Sequence, residues 1–139
     1  MAKRAESDEH YVLDLCDEVI KATGHRQARF DWLCGDISSS SGRAVRLPVD
    51  GYWPAHALVV EFQEKQHTEA VPIFDRRATV SGVPRGEQRR LYDRRKAELI
   101  PAHGLRLVVI QKSEFEVRSD RIIRDRDRDF AVVRRRLAS

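Results

Sequence analysis

Apolar residues recur along this chain with two different spacings, and the changes of spacing divide it into elements. Over 7–22, Tyr11, Val12, Leu15, Cys16, Val19 and Ile20 return every three or four positions, which predicts an amphipathic helix with Ser7 or Asp8 as N-cap. Thr23-Gly24 follows the last apolar position and reads as its C-cap. Residues 29–33 (RFDWL) read as a strand, and the polar run 35–43 (GDISSSSGR) as a hairpin tip. A second strand covers 44–49, and Tyr52-Trp53-Pro54 is expected to turn the chain. Residues 57–63 (ALVVEFQ) form the most apolar strand, apolar on both faces until Glu61. A long connection over 68–85 leads to a helix over 86–102, whose apolar stripe is Leu91, Ala97, Leu99 and Ile100. His103-Gly104 closes it, and 105–110 (LRLVVI) is a further buried strand. Residues 120–137 place Ile122, Ile123, Phe130, Val133 and Leu137 among charges, the pattern of a solvent-facing amphipathic helix.

The order helix, three strands, helix, strand, helix predicts an α/β domain with an αβββαβ core, a mixed central sheet flanked by helices, and an extra C-terminal helix. Short links make the first three strands an antiparallel meander. The intervening helix makes the fourth a parallel neighbour reached by a right-handed crossover.

Composition sharpens this picture only a little. A length of 139 residues suits one domain over 1–139, with 1–7 and 138–139 as flexible ends. That is enough chain for a core without disulfides or structural metal. Charged residues make up 35% and the formal net charge is +4, with Arg dominant, which is compatible with a phosphate-rich partner. Cys16 and Cys34 lack metal-ligand spacing and are expected to fill small apolar spaces, which points to a reducing compartment. No apolar run matches a signal peptide or a membrane span, so a cytoplasmic location without membrane contact is expected. A phosphate-cradling Gly-rich loop and a nucleophile elbow are both absent, which gives a metabolic enzyme no support.

Two acids carry the candidate chemistry. Asp50 ends the second predicted strand and Glu61 sits eleven residues later inside the third, so a hairpin brings them together near the middle of the sheet. Alternation along the third strand puts Glu61, Gln63 and Lys65 on one face and Leu58, Val60 and Phe62 on the other. A carboxylate in so apolar a strand must be neutralised. A divalent cation shared with Asp50 would do so; an arginine partner for Glu61, with Asp50 a turn residue before Gly51, is the alternative. On the first predicted helix, Asp14 and Glu18 lie four apart beside the apolar stripe.

The stretch LPVDGYWPAHALVVEFQEKQHTEA resembles the core of the small PD-(D/E)xK nuclease-like domains related to very-short-patch repair endonucleases. The matching features are Val49-Asp50, Pro54, the apolar strand ending in Glu61, and Gln66-His67. Tyr92-Asp93-Arg94-Arg95, Leu99, Gly104 and the strand over 105–110 follow in the same order. The resemblance implies a restriction-endonuclease-like fold and a Mg²⁺- or Mn²⁺-dependent endonuclease hydrolysing phosphodiester bonds in DNA. It implies Asp50 and Glu61 as metal ligands, with the Phe62 carbonyl as a third and Glu18 as an additional acid. Gln63 stands where the superfamily usually has lysine. It can orient a water but cannot accept a proton, and Lys65 on the same face is a substitute for the missing charge. Gln66 and His67 are candidates for proton shuttling or leaving-group contact. Arg85, Arg89, Arg90 and Arg94 are candidates to hold the nucleic-acid backbone, with i,i+4 pairing such as Arg94 to Glu98 as their alternative. One such site cuts one strand, which makes a second copy or a larger protein partner compatible with the small size. The rival function is a non-catalytic nucleic-acid-binding or assembly module that keeps the fold.

Overall fold

Ser7 starts the first helix, its hydroxyl accepting the His10 N–H at 3.3 Å. In the computed structural model, which describes residues 7–37, 42–64 and 85–138, this helix is α1, Asp8–Ile20. It stops earlier than its apolar pattern predicts, with Lys21 rather than Gly24 in the left-handed cap at φ 62°. The reason is tertiary: Asp17 Oδ1 accepts the Gly24 N–H at 2.8 Å and the Trp53 indole N–H at 3.1 Å, and the Ala22 carbonyl accepts the same indole at 3.1 Å. Gly24 serves close approach instead, since a Cβ there would lie 2.4 Å from the Trp53 ring.

Strands β1 (His25–Ile37) and β2 (Ala44–Trp53) run well past their sequence-based bounds. Tyr52 and Trp53 belong to β2, and the reversal falls on a 3-10 turn, Pro54–His56, with Ala57 left-handed at φ 49°. β3 follows as Leu58–Gln63, then α2 (Arg85–Ala102) and β4 (Arg106–Gln111). Leu105 N–H reaches back to the Ile100 carbonyl at 3.2 Å with Gly104 at φ 80°, which ends α2 as its sequence predicts.

The sheet order is β1-β2-β3-β4, antiparallel at the first two junctions and parallel at the third. The meander and the parallel neighbour are therefore as expected. An additional hairpin, β5 (Val117–Arg118) with β6 (Arg121–Ile122), occupies the start of the segment read as a helix. Its loop residues Ser119 and Asp120 both take positive φ, 52° and 65°, the conformation of a two-residue hairpin turn. Helix α3 begins only at Arg126 and runs to Ala138.

Each face of the sheet carries a core. Leu58, Val60 and Phe62 of β3 meet Leu15, Cys16, Val133 and Leu137, so α1 and α3 cover one face. Val59 of β3 meets Leu33, Val49 and Ile100, which places α2 on the other. α3 is not a purely solvent-facing helix: Val132, Val133 and Leu137 are buried, and Asp129 is fully enclosed. The Asp129 carboxylate accepts the Tyr11 hydroxyl and the Asp125 N–H, which ties α3 to α1. Cys16 is buried and Cys34 half-buried, both as free thiols. No helix among the described residues is long and apolar enough to cross a membrane.

Candidate active site

The antiparallel ladder between β2 and β3 runs Trp53–Leu58, Tyr52–Val59, Gly51–Val60. One step further, where Asp50 and Glu61 come opposite, side chains take over from main chain. The Asp50 N–H donates to Glu61 Oε2 at 2.7 Å, and the Phe62 N–H donates to Asp50 Oδ2 at 2.7 Å. Each strand's acid thus satisfies an N–H of the other strand as the two diverge. Glu61 continues to pair with β4 through Val109, which keeps it in the sheet interior.

Glu61 is only 9% exposed, so its charge needs a partner. The partner is Lys96 of α2, whose ammonium donates to Glu61 Oε1 at 2.6 Å and to the Pro48 carbonyl at 3.0 Å. The sequence-based alternative of a basic partner for Glu61 is therefore realised, by a lysine rather than an arginine. Among the described residues no cation bonds directly to Asp50. Burial pushes its carboxyl up to about 7, the field of Glu61 and a weaker one from Glu9 add to this, and the Phe62 N–H and Lys96 oppose it. Glu9, in the first turn of α1, is itself raised, first by burial and then by Glu64 and Glu61, with His10 and Arg26 opposing. Three acids from α1, β2 and β3 therefore share one electrostatic neighbourhood.

An open cleft of about 310 Å³ lies beside the pair on the α2 face, lined by Glu61, Gln63, Asp93, Arg94, Lys96, Ala97, Leu107 and Val109. Gln63 thus shares the Glu61 face, as strand alternation predicts, and Arg94 joins it from the helix. Arg89 is exposed and Arg90 half-buried on the same helix. The side chain of Arg85 lies outside the described residues, as do Lys65, Gln66 and His67. Glu18 is not brought to the pair. It stands nine residues along α1 from Glu9, about 13 Å of helix rise, and accepts from Arg126 of α3.

Lys96 and Glu9 are the residues that sequence reasoning did not single out. Tyr92, Lys96 and Ile100 are spaced by four, so they share a helix face: the Tyr92 hydroxyl accepts the Asp36 N–H at 2.9 Å, and Ile100 enters the core. Glu9 stands one turn before Leu13, which packs close to Gly51. Four-residue spacing from a core position was the available signal in both cases.

Asp50 and Glu61 offer hard carboxylate oxygens of the kind Mg²⁺ and Mn²⁺ take, in a neighbourhood where, among the described residues, Lys96 is the ammonium bonded to an acid of the pair. Among the described residues no group of three or more His, Cys, Asp or Glu side chains is arranged to hold a metal. A cation held by the pair would complete its shell with main-chain oxygen, water or phosphate, as Mg²⁺ commonly does. No family model, curated protein or solved structure matches the chain.

Proposed function

We propose that this chain is a metal-dependent nuclease of restriction-endonuclease-like architecture that hydrolyses phosphodiester bonds in DNA. The observation that carries the reading is the placement of Asp50 and Glu61: a half-buried and a buried carboxylate, crossed over a strand divergence, with Glu61 lining an open cleft that also holds Arg94. Burial, and after it the field of Glu61, push the Asp50 carboxyl up to about 7, a perturbation that suits the binding of a cation. The αβββαβ order, with β3 parallel to β4, supports the architecture.

When bound, Mg²⁺ or Mn²⁺ would polarise the scissile phosphate and make water a better nucleophile. The chain's own groups do the rest. Asp50 and Glu61 would hold the ion, and Lys96 neutralises and orients the Glu61 carboxylate. Arg94 places a guanidinium where a phosphate in the cleft would lie, and Gln63 offers an amide to orient water or sugar. In hydrolysis the water oxygen bonds to phosphorus as the ester oxygen leaves, and the water proton ends on the leaving group.

The test is incubation of pure protein with plasmid and single-stranded DNA, with Mg²⁺ or Mn²⁺, beside Asp50→Asn and Glu61→Gln. Wild type should cut and both variants should lose at least 100-fold. Wild type that binds DNA but cuts with neither metal would support a nucleic-acid-binding module instead. Asp50→Asn that cuts as well as wild type would remove Asp50 from the reaction.

A further inference from the structure

Among the described residues, Lys96 has more donors than its structural partners use. An ammonium carries three N–H groups in a tetrahedral array. Two are accounted for, by Glu61 Oε1 at 2.6 Å and the Pro48 carbonyl at 3.0 Å. Its side chain is 15% exposed, and that exposure opens on the cleft it shares with Gln63, Asp93 and Arg94. A compact cation fixed at two points by a buried carboxylate and a strand carbonyl has little freedom left to lose, so its remaining N–H is pre-organised for an anionic group in the cleft.

We infer that Lys96 is a catalytic residue of this site, donating its third hydrogen bond to a non-bridging oxygen of the phosphate undergoing cleavage; this rests on the nuclease reading above. The neutral Gln63 amide beside it on the sheet cannot supply that charge, whereas α2 delivers it from across the cleft. Arg94, more exposed on the same helix, holds the neighbouring backbone. Lys96 therefore does two things at once: it neutralises Glu61 in the resting protein and meets negative charge as it grows on the phosphate.

The experiment compares Lys96→Gln, which keeps neutral N–H donors toward Glu61 and Pro48, with Gln63→Lys/Lys96→Gln, which moves the ammonium to the strand lining the same cleft. Each is followed by circular dichroism and by kcat and KM for DNA cleavage with Mg²⁺ or Mn²⁺. Lys96→Gln should lose at least 30-fold in kcat with KM within threefold of wild type, and the double variant should regain at least fivefold. Lys96→Gln cutting within threefold of wild type overturns the inference and leaves the nuclease reading standing. If Lys96→Gln does not fold, the double variant decides: cleavage by it supports the inference, and its failure to cut overturns it. Wild type that cuts nothing removes the nuclease reading itself, and this inference with it.

Discussion

Asp50 and Glu61 grip each other's strands. The Asp50 N–H donates to the Glu61 carboxylate, and the Asp50 carboxylate accepts from Phe62, the residue after Glu61, both at 2.7 Å. The pair sits where the β2–β3 ladder gives way to side chains, so the same atoms close the sheet and form the candidate site. Structure and chemistry are coupled at these positions, and the variants below separate them.

Removing the cation from Glu61 should destabilise the fold. In the Lys96–Glu61 pair the two side chains are 15% and 12% exposed, so Lys96→Met leaves a buried carboxylate without its partner. Urea unfolding at pH 7 should show a loss of about 3 kcal/mol. A loss under about 0.5 kcal/mol, the size of an ordinary surface substitution, would mean the pair is solvated.

Asp50 makes stability depend on pH in a stated direction. Its folded carboxyl is pushed up to about 7, above an unfolded carboxyl near 4, so the native state holds this proton more tightly. The contribution is complete below about pH 4 and is lost as pH rises through about 7. Asp50→Asn cannot titrate and keeps an acceptor for the Phe62 N–H. Relative to wild type it should gain on the order of 4 kcal/mol between pH 4 and pH 8. Parallel stability curves for the two proteins would show that Asp50 is not perturbed.

Glu9 and Glu18 should behave differently toward divalent cations. Glu9 shares the field of Asp50 and Glu61, whereas Glu18 is engaged with Arg126 of α3. Titration calorimetry with Mn²⁺ should show Glu9→Gln weakening binding about fivefold, that is about 1 kcal/mol, with Glu18→Gln within twofold of wild type. Equal effects would remove Glu9 from the site.

The C-terminal helix depends on a buried acid. Asp129 is fully enclosed and accepts the Tyr11 hydroxyl and the Asp125 N–H. Asp129→Ala should cost about 3 kcal/mol, because it strands the buried Tyr11 hydroxyl and removes the acceptor of the Asp125 N–H, and Tyr11→Phe about 1.5 kcal/mol. If Asp129→Ala is as stable as wild type in thermal melts, α3 is held by its apolar contacts alone.

Much of the fold was legible in the residues themselves. The 3.6 spacing of Tyr11, Val12, Leu15 and Cys16, the apolar run of β3 and the short links of the meander follow from local patterning, and each element appears in the predicted order. The opposition of Asp50 and Glu61 was legible too, because a hairpin's turn fixes which residues face each other. Other features were settled by contacts between residues far apart in the chain. Trp53 lies on β2, and its indole N–H ends α1 through Asp17 and Ala22; no local spacing around Gly24 carries that information. A charged run around Asp129 resembles a solvated helix face until Tyr11, 118 residues earlier, supplies its hydroxyl. Lys96 was one cation among many on an Arg-rich helix, and helical periodicity alone ranks none of them. Which one meets Glu61 is decided by how α2 crosses the sheet, since burial makes an unpaired carboxylate too costly and brings the ammonium within 2.6 Å.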